Sequence, residues 1–380
     1  MVDWTDDQLE LKKSISKWSE ALNENYLCKD KHSEFSFDKW QLIKEMGILA
    51  LPIDCEYGGL GQDVLTTMLV LQELGRCSQD AGLSFVTASH IVSTEIPLQF
   101  FGSPEQKEKY LPSLCAGKII GAHAITEPDS GSDAFHMRTR AVKKGDRYIL
   151  NGNKAFISNG PIADLFIVYA RTKKDANVLE GYSAFLINRS TPGFSTGRPI
   201  DKMGLRTAPL CEICFDDCEI PADQLLGKEG QGFSIFNYVM KWEVLCSFAV
   251  NIGEMERLIS KCVEYSKMRK QFGEPIAKYQ AVSHKIANMK IALESSRALL
   301  YQAGQRVLQG KNTTADIAIA KVVTSESFVQ TAMDAIQIFG AYGYMHETGI
   351  EHYLRNAIGG KIYSGTNEIQ RNTIASMLAL

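Results

Sequence analysis

The chain has 380 residues, of which 45% are apolar and 22% are charged, and its formal net charge is −3. This length exceeds the size at which a single hydrophobic core stops growing, so more than one structural unit is expected. The small negative charge offers no clustered cations to displace phosphate counterions, which argues against a nucleic-acid-binding protein.

The first residues, MVDWTDDQLELKKS, lack a basic segment followed by an apolar one, and no run of about 18 apolar residues occurs. We therefore expect a soluble, cytoplasmic protein with no membrane partner. Nine scattered cysteines indicate reduced thiols rather than a disulfide framework. Cys211, Cys214 and Cys218 lie close together, but their segment alternates as a strand does and no second ligand pair follows. We expect no metal site there.

Helical spacing dominates residues 1–120 and predicts a helical domain. In DDQLELKKSISKWSEAL, apolar residues recur at helical spacing from Leu9 to Leu22. VLTTMLVLQELGR repeats the pattern, and Gly75 is predicted to end that helix. GSPEQKEKYLPSL predicts a third helix with Ser103 as its N-cap.

Residues 121–226 have the composition of strands and predict a compact antiparallel β domain. β-Branched and aromatic runs such as RYILNGNKAFISNG, DLFIVYART and YSAFLINRS alternate with Gly, Asn and Pro. The NGN sequence at 151–153 predicts a hairpin turn. Helical spacing then returns in residues 227–380, whose long segments and wide apolar stripes predict a four-helix bundle. The fold class is thus α+β, mainly α, in the order α, β, α.

Two common nucleotide-binding signals, G-x-G-x-x-G after a strand and G-x-x-x-x-G-K-[ST], are absent from the sequence. Five other motifs occur in order across the three regions: AITEPDSGSDA, NGNKAFISNG, MRKQFGEPIAKYQAV, DAIQIFGAYGY and IYSGTNEIQR. With these motifs the chain resembles the acyl-CoA dehydrogenase superfamily over essentially its whole length. The resemblance implies FAD as cofactor, bound between the domains, and a dimer or tetramer, with a homotetramer expected.

Each motif also has a physical interpretation of its own. Hydroxyls and amides in TEPDSGSD suit the edge of a flavin ring, although a plain loop would look the same. Arg269 and Phe272 in RKQF suit a diphosphate and an adenine, and in the family such residues commonly reach the FAD of a neighbouring subunit; alone, RKQF is typical of a solvated helix face. Thr366 is a predicted N-cap, and a helix N-terminus accommodates negative charge. The resemblance implies the following cofactor-binding residues: His123, Ile125, Thr126, Ser132, Phe156, Ser158, Arg269, Gln271, Phe272, Tyr279, Gln280, Gln337, Gly340, Thr366 and Glu368.

The family reaction removes an α-proton from a thioester while a hydride moves to flavin, so it needs a carboxylate beside the α-carbon. Most members place this carboxylate directly before GT, where this chain has Ser364. A minority carry the base on a bundle helix, and the matching residue in NYVMKWEVLCSFAV is Glu243. A carboxylate in this mostly apolar stretch would be desolvated and more basic. The alternative is a solvated helix side next to Lys241.

Two other carboxylates compete with Glu243 for the role of base. Glu368 lies in the first turn after Thr366, where the helix dipole already explains an acidic residue. Glu127 belongs to a loop motif that serves the cofactor. We rank both below Glu243, and we assign Met240, Tyr363 and Ser364 to the substrate pocket.

MKWEVL and YSGTNEIQ together are most similar to one branch of the family, the prolyl-carrier-protein dehydrogenases and oxidases of toxin and antibiotic biosynthesis. The resemblance implies oxidation of a prolyl thioester on the phosphopantetheine of a carrier protein, with reduced flavin reoxidised by oxygen. A smaller side chain at Ser364 would leave room for a cyclic acyl group. Two alternatives stay open: a short-chain acyl-CoA dehydrogenase that uses an electron-transfer flavoprotein, and a pseudoenzyme that binds FAD or a carrier protein.

Overall fold

The structure is a computed structural model that describes residues 2–173 and 176–379. Eight helices form the N-terminal part: α1 Asp6–Ser16, α2 Ser19–Asn23, α3 Tyr26–His32, α4 Phe37–Glu45, α5 Val64–Cys77, α6 Ala81–His90, α7 Ile96–Phe101 and α8 Pro104–Cys115. A single π-helical turn, Ile91–Glu95, joins α6 to α7. Ser103 caps α8 in a capping box with Gln106, as the sequence predicts.

Two sequence predictions for this region are wrong in detail. The first amphipathic segment is two helices, because the chain turns at Lys17 and Trp18, and Leu9 is 44% exposed. Gly75 does not end α5 but is buried within it. A Cβ at Gly75 would meet the carbonyl oxygen of Val250 at 2.2 Å, so the glycine permits close packing against the long helix of the C-terminal domain.

Eight strands of the middle domain form one sheet in the order β6-β7-β3-β2-β4-β5-β8, with β1 paired to β4. Their bounds are β1 Gly121–Ala124, β2 Arg140–Lys144, β3 Arg147–Ser158, β4 Leu165–Arg171, β5 Tyr182–Asn188, β6 Phe194–Thr196, β7 Leu210–Pro221 and β8 Leu225–Leu226. Most pairs are antiparallel, but β1 and β2 both pair with β4 in parallel. β4 is buried on both faces, which accounts for its continuous apolar sequence.

The hairpin predicted at 151–153 is also wrong. β3 runs straight through this segment, and the turn between β2 and β3 lies at Gly145 and Asp146, where Gly145 supplies the positive φ. Gly152 instead lies at a register shift between β3 and β7, and a Cβ there would meet the Thr139 side chain at 2.5 Å. The glycine therefore serves a β-bulge rather than a turn.

The C-terminal part is helical, and its helices are α9 Gly232–Met268, α10 Gln280–Leu308, α11 Thr314–Phe339, α12 Ala341–Tyr344, α13 Glu351–Gly360 and α14 Asn367–Met377. A two-stranded hairpin, β9 Lys270–Gln271 and β10 Glu274–Pro275, lies between α9 and α10. α9 packs against α5, α10 and α11, while α13 and α14 pack on α11. The predicted order of helical, β and helical domains is confirmed. In the described part of the chain, no helix is both long enough and apolar enough to span a membrane.

Candidate active site

The helix α9 carries Glu243 in the middle of an apolar segment. Its neighbours from Val244 to Val250 are buried, whereas Glu243 itself is partly exposed. An apolar helix of 37 residues is held by contacts on several sides, with the N-terminal helices, the sheet and the bundle packed around it. The carboxylate is therefore in a protein-lined environment and not on the solvated side of the helix.

Two serine hydroxyls donate to the two oxygens of this carboxylate. Ser364 Oγ lies 2.6 Å from Glu243 Oε1, and Ser93 Oγ lies 3.4 Å from Oε2. Burial raises the pKa of Glu243, and the hydrogen bonds from Ser364 and Ser93 lower it, with a net increase. A carboxyl with a raised pKa is a stronger base once ionised, which suits proton abstraction near neutral pH.

The loop before α14 brings Ser364 to the carboxylate. Ser364 has a φ of +55°, its carbonyl accepts from Gln370 Nε2 at 3.1 Å, and Thr366 caps α14 through Ile369 N at 3.3 Å. The structure thus places Thr366 at the helix N-terminus, as predicted, and Glu368 is exposed in the first turn.

Tyr363 precedes this serine and lies among aromatic side chains. Its ring centroid is 5.2 Å from that of Phe85 and 5.6 Å from that of Phe248. Its hydroxyl accepts from Asn251 Nδ2 at 3.1 Å. Met240, the third predicted pocket residue, is partly exposed one turn before Glu243 on α9. Tyr363 therefore belongs to a cluster of aromatic side chains next to Ser364.

The sheet faces α9 through two polar aromatic side chains. The ring of His123 on β1 is 5.0 Å from that of Tyr169 on β4 and stacks at 6.4 Å on Phe236 of α9. His123 Nε2 and Tyr169 Oη are buried without a hydrogen-bond partner among the described residues. Burial, assisted by the charge of Lys154, lowers the pKa of His123 to about 4, so this imidazole is neutral near pH 7. Phe236 lies seven residues before Glu243, which is two helical turns on the same face.

Other predicted cofactor residues lie along the adjoining strands. Ala155 N on β3 donates to Thr126 O at 2.9 Å, so the segment after β1 runs beside the end of β3. Phe156 has a φ of +57° and is 61% exposed. Ser158 and Ile125 are partly exposed, and Ser132 is exposed in the loop that follows. A large aromatic side chain held in solvent on a strained backbone often marks a binding surface.

A buried ion pair holds this loop in place. Lys154 Nζ lies 2.8 Å from Glu127 Oε1, and Glu127 also accepts from the amides of Arg138 at 2.5 Å and Thr139 at 2.9 Å. Burial alone would raise the pKa of Glu127, but Lys154 and these donors hold it below its usual value. These contacts with the loop are therefore a structural explanation for Glu127.

The remaining predicted residues form a second cluster at the far end of α9. Arg269 follows the last residue of α9, Phe272 is 95% exposed on the β9–β10 turn, and Tyr279 Oη donates to Gln271 O at 2.9 Å. Tyr265 stacks on Phe339 at 4.1 Å, which joins the ends of α9 and α11. The exposed members of this cluster are Arg269, Gln271, Phe272, Gln280, Gln337 and Gly340. Since a helix rises about 1.5 Å per residue, the cluster lies roughly 39 Å along α9 from Glu243.

Sequence analysis did not single out three residues near the carboxylate. Ser93 lies in the π-helical turn, Tyr169 in a strand that looks like ordinary core, and Asn251 on α9. Only Asn251 had a detectable signal, as a polar residue inside the apolar run SFAVNIG. A π-turn leaves no mark on apolar spacing that distinguishes it from a continuous helix.

Three family models match successive parts of the chain. They are described as the acyl-CoA dehydrogenase N-terminal, middle and C-terminal domains, and they match residues 5–118, 122–218 and 230–379. The motifs that carry the resemblance in the sequence are distributed over all three ranges.

Similar proteins have prolyl substrates or carriers in their names. An L-prolyl-[peptidyl-carrier protein] dehydrogenase of Pseudomonas fluorescens is 41% identical over 355 residues, 93% of this chain and 93% of the relative. The crystal structure of the prolyl acyl carrier protein oxidase AnaB matches with a TM-score of 0.97 and 42% identity, covering 100% of both chains. The structure of PigA with FAD and proline matches with a TM-score of 0.97 and 41% identity, covering 100% of this chain and 99% of that one.

Proposed function

The chain belongs to the acyl-CoA dehydrogenase family, and we propose that it oxidises a prolyl thioester carried on the phosphopantetheine of a carrier protein, with FAD as oxidant. The observation that carries this proposal is the contact between Glu243 and Ser364. A carboxylate on α9 lies against the position where most of the family has its base. The site thus has a basic group although the usual one is missing.

The assignment to a prolyl thioester rests on the similar proteins together with the aromatic side chains around the loop. Two of the similar proteins are named for prolyl-loaded carrier proteins, and a third has a structure with FAD and proline. Tyr363, Phe85 and Phe248 surround the loop with rigid aromatic groups. Rigid aromatic groups of this kind can orient a small ring at low entropic cost.

The side chains along the sheet are suited to FAD. Phe156 offers an exposed aromatic face on a backbone with positive φ, and His123 has a buried nitrogen that lacks a partner within the described chain. A flavin edge offers donors and acceptors to such atoms, as well as to the hydroxyls of Thr126 and Ser158. When bound, FAD supplies the chemistry of accepting a hydride.

Glu243 takes the α-proton of the prolyl group. The thioester carbonyl makes this proton more acidic, and the main-chain amide of Ser364 is a donor for that carbonyl. The buried apolar residues that follow Glu243 on α9 lower the polarity around the carboxylate, which keeps it basic. His123 stays neutral through its low pKa and can donate or accept one hydrogen bond without adding charge.

The cluster at the far end of α9 serves a neighbouring subunit. Arg269 and Phe272 are exposed and about 39 Å along the helix from Glu243, which supports a role in contacting a dinucleotide held by a second copy. Gln271, Tyr279, Gln280, Gln337 and Gly340 belong to the same cluster. The protein is thus a homo-oligomer, for which a tetramer is the proposed state, and it functions in the cytoplasm.

Mass spectrometry of loaded carrier proteins tests this function. The flavin-loaded protein is incubated in air with a prolyl-carrier protein, and a loss of two or four hydrogens from the prolyl group is expected, with hydrogen peroxide as the second product. Glu243→Gln should leave the prolyl group unoxidised, and Glu10→Gln, at an exposed carboxylate of α1 outside the site, is the matched control. Turnover of butyryl-CoA with an electron-transfer flavoprotein, and none of the prolyl carrier, would instead identify a short-chain acyl-CoA dehydrogenase. No turnover of either substrate, with FAD still bound, would identify a pseudoenzyme.

A further inference from the structure

The π-helical turn between α6 and α7 places a serine beside the candidate base. All five residues of Ile91–Glu95 are buried, and Ser93 is at the centre of the turn. A helical serine usually donates to a main-chain carbonyl one turn earlier. The hydrogen bond found for Ser93 Oγ is with Glu243 Oε2, at 3.4 Å. π-Turns occur frequently at functional sites, where they direct one side chain away from its ordinary helical position.

The opposite oxygen is held from a different element. Ser364 is in the left-handed region with a φ of +55°, and Gly365 follows at +79°. Left-handed backbone is uncommon for serine and is strained. The Gln370 amide holds the Ser364 carbonyl at 3.1 Å, so the backbone is fixed with Oγ directed at Glu243 Oε1. The loop thus maintains the strained backbone of Ser364, whose side chain reaches the carboxylate.

The two contacts differ in length, so the two carboxylate oxygens are not equivalent. We infer that Ser364 and Ser93 are positioning residues for the base: Ser364 fixes Oε1, and Oε2, whose contact with Ser93 is long, is the atom that takes the proton. This inference rests on the proposed function. A short hydrogen bond of 2.6 Å occupies Oε1, whereas a contact of 3.4 Å leaves Oε2 able to turn to a substrate C–H.

On the protein side, the proton transfer needs only the Glu243 carboxylate and the two serine hydroxyls. The Cα–H bond of the prolyl group breaks, and an O–H bond forms at Oε2 of Glu243. The electron pair of the Cα–H bond stays on the substrate and forms the new double bond, while a second hydrogen of the prolyl ring, on the adjoining carbon or nitrogen, would leave with its bonding pair as the hydride that FAD, when bound, would accept. Because a hydroxyl both donates and accepts, Ser93 can then accept from the new Oε2–H while Ser364 keeps its bond to Oε1.

Among the described residues, the titratable groups of other elements that interact with Glu243 are two tyrosines, Tyr169 of β4 and Tyr363 of the loop. Burial raises the pKa of both, and the charge of Glu243 raises them further. Both tyrosines therefore remain neutral in the pH range in which Glu243 titrates, and they do not supply a compensating charge. The two serine hydroxyls are then the hydrogen bonds that favour the ionised carboxylate.

An infrared titration of the carboxyl group tests the inference without any substrate. Difference spectra between the FAD-loaded wild type and Glu243→Gln isolate the Glu243 band, which is followed against pH. Ser364→Ala should raise the midpoint by about one pH unit because a charge-assisted hydrogen bond is lost. Ser93→Ala should raise it less, because the hydrogen bond that it removes is longer. Ser266→Ala is the matched control, since Ser266 is a buried serine on α9 that donates to Val263 O.

A second measurement distinguishes positioning from a general loss of structure. Anaerobic flavin reduction by prolyl-carrier protein is measured against pH; Ser364→Ala should slow it about tenfold below the midpoint and approach the wild-type rate at high pH. An unchanged or lowered carboxyl midpoint in Ser364→Ala, or equal slowing at every pH, would overturn the inference. If the wild-type flavin is not reduced by the prolyl carrier, the proposed function fails, while the infrared titration still decides the role of the serines.

Discussion

Ser364 and Glu243 are 121 residues apart in the chain, yet Ser364 Oγ lies 2.6 Å from Glu243 Oε1. The position that lacks the common carboxylate of the family is thus in direct contact with the carboxylate that we propose to replace it. A change of side chain at either residue alters the surroundings of the other. The two positions are expected to behave as one unit in mutational experiments.

Ser364→Glu should impair oxidation of the prolyl thioester. The variant places a second carboxylate in contact with Glu243, and like charges at such a distance raise the pKa of the pair, so one group stays protonated. The longer side chain also fills the space beside the α-carbon. We expect flavin reduction by prolyl-carrier protein at pH 7 to slow by about tenfold or more. A Ser364→Glu variant that handles the prolyl group as well as wild type would count against the proposed pocket, and Ser364→Gln, which has the same length without the charge, separates the effect of charge from that of size.

Mixed oligomers should reveal whether Arg269 acts on the cofactor of another subunit. Phe156→Ala and Arg269→Gln chains are each expected to retain FAD poorly, because each loses one side of the proposed site. In a mixed oligomer, the chain with Arg269→Gln keeps its own Phe156 and receives an intact Arg269 from its neighbour. About half of the sites should then regain FAD, as measured by the flavin-to-protein ratio.

Recovery in that experiment depends on residues from two chains meeting at one site. If mixed oligomers bind no more FAD than the separate variants, Arg269 does not complete the site of a neighbour. Lys267→Gln is the control for charge loss at the end of α9, because Lys267 is also exposed there. It should leave the flavin content unchanged.

Gly75→Ala should destabilise the protein. The added Cβ would meet Val250 O at 2.2 Å across the interface between α5 and α9. Overpacking of this kind typically costs about 1–3 kcal/mol, and backbone atoms cannot move aside as a side chain can. Denaturant unfolding of the FAD-loaded protein measures the change. Gly131→Ala is the matched control, since nothing lies within 4 Å of its Cβ, and equal stabilities of the two variants would contradict the close packing.

Acid should destabilise the fold partly through His352. Its ring is buried against Tyr26 and Tyr353, and neither ring nitrogen has a hydrogen-bond partner in the part of the chain described. Burial, with the nearby charges of Arg257 and Arg355, holds its pKa well below the ordinary value of 6.5. The unfolded chain therefore binds a proton that the folded chain does not, so stability is complete above pH 6.5 and decreases as the pH falls below it.

The substitution His352→Phe should reduce this acid sensitivity. Between pH 6.5 and the pKa of His352 in the folded protein, the wild-type free energy of unfolding falls by up to about 1.4 kcal/mol per pH unit because of this residue. The substitution should remove that part of the pH dependence. Denaturant unfolding between pH 7 and pH 5 measures it. The exposed His136 provides the control substitution His136→Gln, which should leave the slope unchanged. A variant as acid-sensitive as wild type would show that His352 is not the responsible group.

Sequence analysis identified the domain order, because apolar periodicity and β-branched runs mark helices and strands directly. It placed Glu243 within an apolar helix for the same reason. It misassigned Gly75 and Gly152, because a glycine that permits close contact and a glycine that ends an element look alike without their neighbours. It missed Ser93, whose role depends on a π-turn and on a partner 150 residues away.

The most direct test of proton removal by Glu243 is anaerobic flavin bleaching in a single turnover with prolyl-carrier protein. The wild type and the Glu10→Gln control should bleach, whereas Glu243→Gln should be slower by about 10²- to 10⁴-fold, the usual contribution of a positioned base. FAD content is measured in all three proteins so that loss of cofactor is recognised. Bleaching of Glu243→Gln at the wild-type rate would contradict the account.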